Sequence, residues 1–117
     1  MKLKLFNIVN SREAFQELLR EKLPIKIVFR LREILRLIEP KFQTYEDLRT
    51  KMITEKYGEQ TSSGWTVKDS MKEDFILELN ELASEDIELD IEKVKLPDET
   101  KITYENVGLL EWIIEVE

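Results

Sequence analysis

Neither cysteine nor histidine occurs in the 117 residues. Without cysteine there can be no disulfide, a composition that suits a cytosolic setting. Without either residue, zinc, iron–sulfur and haem sites lose their usual ligands. Acid–base chemistry is left to Asp, Glu, Lys and Tyr. Glycine is almost as scarce, present only at 58, 64 and 108, so no phosphate-cradling glycine loop is formed. No apolar run approaches the roughly 20 residues that span a bilayer, and the opening MKLKLFNIVN is too short and too polar for a signal peptide. The composition therefore points to no cofactor, no metal and no membrane partner.

What is present is charge. Lys and Arg number 18 and Asp and Glu 25, a net of −7, which argues against binding nucleic acid through its phosphates. The charge is divided along the chain. Residues 1–58 carry 13 basic and 8 acidic side chains, a net of +5, and residues 59–117 carry 5 and 17, a net of −12. Two halves of opposite sign are expected to attract within the fold or across a homodimer; the sharper reading is two patches for different partners. Hydrophobic residues at 42% exclude a wholly disordered chain, and charged residues at 37% suggest long helices with solvated faces. The length fits a single domain over 1–117.

Residues 2–5 alternate as a short strand. Asn10 and Ser11 are good helix N-caps, with Glu13 three after Asn10 as in a capping box. Ala14, Phe15, Leu18 and Leu19 then share a face of a first helix running to about Lys22. Pro24 suits the first position of a second helix. Leu31, Leu35, Ile38, Phe42, Tyr45, Leu48 and Met52 recur along that helix at three- or four-residue steps. Their phase runs through Pro40, which favours one long helix kinked there over two helices meeting there. Gly58 is expected as its C′ residue. Residues 59–69 read as a polar loop with a short extended piece at Trp65–Val67. Ser70 and Glu73 form a second capping-box pattern, opening a helix that buries Phe75, Ile76, Leu79 and Leu82 and ends near Ser84. Asp86 to Glu92 alternate strictly, as in a half-buried strand with one acidic face, and the alternation slips before Val94 and Leu96 in a bulge or bend. Thr103 suits the cap of a short helix burying Val107, Leu110 and Ile113, while Ile114–Val116 suits a final strand; the pattern does not separate the two. The fold class is thus α+β, mainly α: a helical hairpin with a long second helix, a third helix, and a small C-terminal β element.

The run Leu18-Leu19-Arg20-Glu21-Lys22-Leu23-Pro24-Ile25-Lys26, opening a long charged helix that ends Glu55-Lys56-Tyr57-Gly58-Glu59, resembles a family of small phage and prophage proteins of Gram-positive bacteria. The order of elements over most of the chain is similar too: capped helix, Lys-Leu-Pro corner, long helix, Gly-centred turn, a helix such as Phe75–Leu82, then an alternating acidic strand. Pro40 departs from the uninterrupted helix that the resemblance implies. The shared motifs are structural, so no activity is carried over. The resemblance implies a protein acting in the host cytoplasm, or on the virion, through a phage or host protein partner.

Three functions remain to be weighed. A binding protein with an assembly or accessory role is the leading expectation, and not an enzyme. An acidic inhibitor that imitates DNA is the alternative, because Glu88, Asp90 and Glu92 on one strand face would repeat about every 6.8 Å, comparable with phosphates along a nucleic-acid strand. A carboxylate enzyme comes third, since 25 acids make carboxylate pairs inevitable and uninformative. The same strand spacing is too open to wrap a calcium ion. The candidate interaction residues are those three acids, Trp65 as a binding hot spot in a polar loop, and Arg32 and Arg36 on one face of the long helix, where the plainer role is pairing with glutamates. Trp112 is expected in the core or at its edge.

Overall fold

The computed structural model describes residues 1–116; Glu117, the last residue of the expected domain, lies outside them. The chain opens with strand β1, Lys2–Lys4, and passes directly into helix α1, Leu5–Leu18. This start is earlier than the expected cap at Asn10 and Ser11. The reason is local: the Lys4 backbone N–H donates to the Asn7 side chain at 2.9 Å, so the capping contact forms two turns ahead. Leu5 and Ile8 thereby join Phe15 and Leu18 on the buried face. Ser11 sits buried in the helix interior and donates its hydroxyl to the Asn7 carbonyl at 2.5 Å, a back-bond that makes the buried polar group tolerable. The helix stops at Leu18, short of the expected Lys22.

Helix α2 spans Ile25–Met52, with Pro24 at the N-cap position and not inside the first turn. Pro40 lies within it, so the helix is not divided there. Leu31, Ile34, Ile38 and Tyr45 are buried, Leu35, Phe42 and Met52 are half-buried, and Leu48, expected inward, is exposed. A π turn over Ile53–Tyr57 ends the element. Gly58 follows in extended backbone, φ −108°, not in the left-handed form expected of a C′ glycine. Its requirement is space: a Cβ there would lie 2.3 Å from the Ile53 carbonyl oxygen.

The expected polar loop is a hairpin of β2, Gly58–Thr61, and β3, Gly64–Val67, the second strand containing the extended piece expected at Trp65–Val67. The turn is Ser62-Ser63, and Gly64 takes φ +114°, a conformation that L side chains rarely adopt. Thr61 donates its hydroxyl to the Gly64 carbonyl at 2.8 Å. A 3-10 turn, Asp69–Met71, leads into α3, Lys72–Ala83. Ser70 therefore lies inside a helical turn and does not cap α3, whose N-cap position is Met71. Phe75 is buried and Leu79 and Leu82 half-buried, but Ile76 faces outward.

Strand β4 is only Asp86–Glu88, antiparallel to β1, with Leu3 opposite Ile87. The long acidic strand is not formed, because β1 supplies only three partners. The alternation itself survives without the ladder: Leu89 is buried, Ile87 and Ile91 half-buried, and Glu88, Asp90 and Glu92 exposed. After this break comes β5, Val94–Leu96, which pairs in parallel with β6, Ile114–Val116. A parallel pair needs a crossover connection, here containing α4, Tyr104–Leu110. The Thr103 hydroxyl accepts from the Asn106 N–H at 3.1 Å and caps α4. Both alternatives at the C-terminal end are thus realised, one after the other.

The main core joins α1 (Ile8, Phe15, Leu18), the first half of α2 (Leu31, Ile34, Ile38) and the β5–α4–β6 unit (Val94, Leu96, Leu110, Ile113). Trp112 packs against its edge. Burying each such large side chain contributes about 1.5–3 kcal/mol. Arg12 ties α1 to α2 a second way, paired with Glu39 at 3.1 Å and lying 4.3 Å over the Phe42 ring. The second half of α2, the hairpin and α3 extend beyond this core, giving dimensions of 48 × 30 × 22 Å.

Candidate functional site

The first half of α2 has two apolar faces. One is the buried stripe; the other carries Ile25 and Phe29, 81% and 65% exposed, and Leu37, also exposed. In helical projection Arg32 and Arg36 lie beside Ile25 and Phe29. Both arginines are exposed, and among the described residues Arg36 pairs only with its neighbour Glu33, at 2.9 Å. A groove of about 490 Å³ runs between this face and residues 90–94, lined by Phe29, Leu37 and Ile91 with Arg30, Arg36, Asp90 and Glu92. Arg36, Asp90 and Glu92, singled out from the sequence, therefore line one groove, and Arg32 lies on the same helix face.

Glu88 and Trp65 are placed elsewhere. Glu88 lies in β4, 3.6 Å from the terminal amine of Met1. Beside it in β4, Asp86 pairs with Lys4 at 2.5 Å, a contact that lowers the Asp86 pKa. Trp65 is on the hairpin, half exposed, in register with Gln60. Ile25, Phe29 and Leu37 were not anticipated. For Ile25 and Phe29 the signal was available as apolar residues four apart, out of phase with the buried stripe and in phase with Arg32 and Arg36; Leu37 lies between that face and buried Ile34.

A second surface lies on α3. Ile76 and Leu77 are 53% and 63% exposed, set among exposed Glu73, Asp74 and Glu81. Beside it, Tyr57 donates its hydroxyl to the Glu78 carboxylate. Lys56 reaches the same carboxylate at 3.1 Å. The Tyr57 ring meets Phe75 edge-on, with centroids 5.9 Å apart. The Tyr57 hydroxyl, then Lys56, hold the Glu78 carboxyl below its ordinary range, and the bond to Glu78 raises the Tyr57 phenol. A lowered carboxyl is the reverse of what a general acid at neutral pH needs; this arrangement clamps α3 to the end of α2.

Among the described residues no group of three or more acids is placed to hold a metal ion. No helix is long and apolar enough to cross a membrane. Comparison of the chain with protein-family models, with curated proteins and with solved structures finds no match.

Proposed function

We propose that this chain is a non-enzymatic phage or prophage protein that works by binding another protein, in an assembly or accessory role, and that the outer face of α2 is its binding surface. The observation that carries the reading is the exposed Phe29, between Ile25 and Leu37 and beside Arg32 and Arg36. Aromatic side chains and arginine are the residues enriched in interface centres, and a helix holds them at fixed spacing. Contiguous apolar surface on a small chain costs solubility unless something covers it. The resemblance to small phage proteins supports a partner among phage or host proteins and action in the host cytoplasm or on the virion. The DNA-imitating alternative asks for a regular row of free carboxylates. Strand pairing goes no further than Leu89, whose backbone exchanges hydrogen bonds with Met1, and Asp86 and Glu88 already face cations, so it is not advanced.

The test is site-specific photo-crosslinking in phage-producing cells, with the reactive group at position 29 and, as control, at exposed Gln43. A discrete crosslinked protein from position 29 only, lost with Arg32→Glu/Arg36→Glu, is the expected result. Equal crosslinking from both positions would remove the reading.

A further inference from the structure

We infer that copies of this chain bind one another head to tail, the basic apolar face of α2 on one copy seating on the acidic apolar face of α3 on the next. The inference rests on reading the α2 face as a protein-binding surface and names its partner, a second copy of the chain.

The two faces match in kind and oppose in sign. On α2, Phe29 is surrounded by exposed Lys26, Arg30, Arg32 and Arg36, with Glu33 the one acid among them on the helix and Asp90 and Glu92 on the far side of the groove, so the face keeps a net positive charge. On α3, Leu77 and Ile76 are surrounded by exposed Glu73, Asp74 and Glu81, while the nearby cations Lys56 and Lys72 are already paired with Glu78 and Asp69. Lys26, Arg30 and Arg32, and likewise Glu73, Asp74 and Glu81, make no ion pair among the described residues, so both sets of charge remain available to a partner. Pairing α2 with α2, or α3 with α3, would bring like charges together around the apolar centre, which disfavours a symmetric dimer through either face.

The faces also cannot meet within one copy. The α3 face carrying Leu77, Asp74 and Glu81 lies beside Lys56 and Tyr57 of the π turn that follows Met52. From Phe29 to Met52 the helix rises about 35 Å. A surface at one end and its complement at the other, joined by a rigid helix, make a heterologous contact. Such contacts propagate as rings or filaments instead of stopping at two copies.

Sedimentation velocity and light scattering on the intact chain test this. The mass should rise from 14.0 kDa through successive multiples as concentration increases. It should fall back toward the monomer in 1 M salt, where charges are screened beyond about 3 Å. Phe29→Glu and Leu77→Asp should each weaken association at least about tenfold. Mixed in equal amounts, they should form a one-to-one pair and nothing larger, because each variant keeps one intact face. Both positions are exposed, so circular dichroism should match the parent. Arg32→Glu/Arg36→Glu replaces Phe29→Glu if that variant misfolds. A monomer at millimolar concentration, a wild-type assembly that stops at two, or a mixture that stays monomeric would each overturn the inference. A monomer whose position 29 still crosslinks a foreign protein defeats the inference and leaves the proposed function standing; a monomer that crosslinks nothing there defeats both.

Discussion

Two glycines show how differently the same residue can be required. At Gly58 a Cβ would lie 2.3 Å from the Ile53 carbonyl oxygen and 2.6 Å from its Cγ2. The backbone of the π turn would have to move. At Gly108, inside α4, a Cβ would meet nothing within 4 Å. Gly58→Ala should therefore destabilise by more than about 1 kcal/mol, while Gly108→Ala should stabilise by about 0.5–1 kcal/mol. Urea unfolding of both variants reads the contrast, and equal effects would refute the steric account. The core stripe gives a second contrast. Ile38→Ala should cost about 2–5 kcal/mol, and Leu48→Ala within about 0.5 kcal/mol, by the same measurement. Periodicity alone placed Leu31, Ile38 and Tyr45 correctly. It could not separate Leu48 from them, because α2 runs out past the main core after its midpoint and a heptad-like spacing says nothing about where the covering elements end. Phe29 escaped notice for a related reason: it looks like an ordinary apolar position until the opposite face is known to be the buried one.

At the scale of elements, the clamp of Lys56, Tyr57 and Glu78 makes a pH-dependent prediction. The Glu78 carboxyl is lowered. Its contribution is therefore present above its unfolded pKa and lost as pH falls through the folded value. Tyr57 is raised, first by its bond to Glu78. Its contribution is present below its unfolded pKa and lost as pH rises through the folded value. Stability should sag in the acid range of carboxylates and again in the alkaline range of phenols, with a plateau between. Tyr57→Phe should flatten both flanks in thermal unfolding across pH; unchanged slopes would show the clamp to be incidental. No spacing in the sequence announced this contact, since residues 57 and 78 meet only through the hairpin between them. Of the hairpin only the second strand was legible, as the extended piece Trp65–Val67, and the turn was hidden for a chemical reason. The turn is Ser-Ser, lacking the Asn-Gly or Asp-Gly that marks a tight turn, and the strands are four residues each. The long helix was readable because helical phase is a local property; the Thr103 cap pointed to α4, but the short pattern that follows did not separate that helix from a strand. The acidic strand was not readable, because strand length is set by the partner, and β1 offers three residues.

For the whole molecule, the division of charge is only partly answered inside the fold. Lys4 with Asp86 and Lys56 with Glu78 join the basic half to the acidic one. β1 pairs with β4, and the core draws side chains from both halves. The halves are therefore not separable units. Cleaving the backbone between Ser62 and Ser63, in the exposed turn, should leave two fragments that still co-elute on gel filtration and keep the parent's circular dichroism. Fragments that separate at low micromolar concentration would show the shared core to be weaker than its burial suggests. The pairing of β1 with β4 also bears on how the protein is made. Lys4 waits for Asp86, 82 positions later, which at 5–20 residues per second is roughly 4–16 s of synthesis. The apolar side of α1 stands uncovered by its C-terminal partners throughout that interval, and Val94 finds its ladder partner only when Ile114 arrives. The core therefore cannot be completed before residues 114–116 have emerged, and until the acidic half follows the apolar side of α1 has only α2 to cover it.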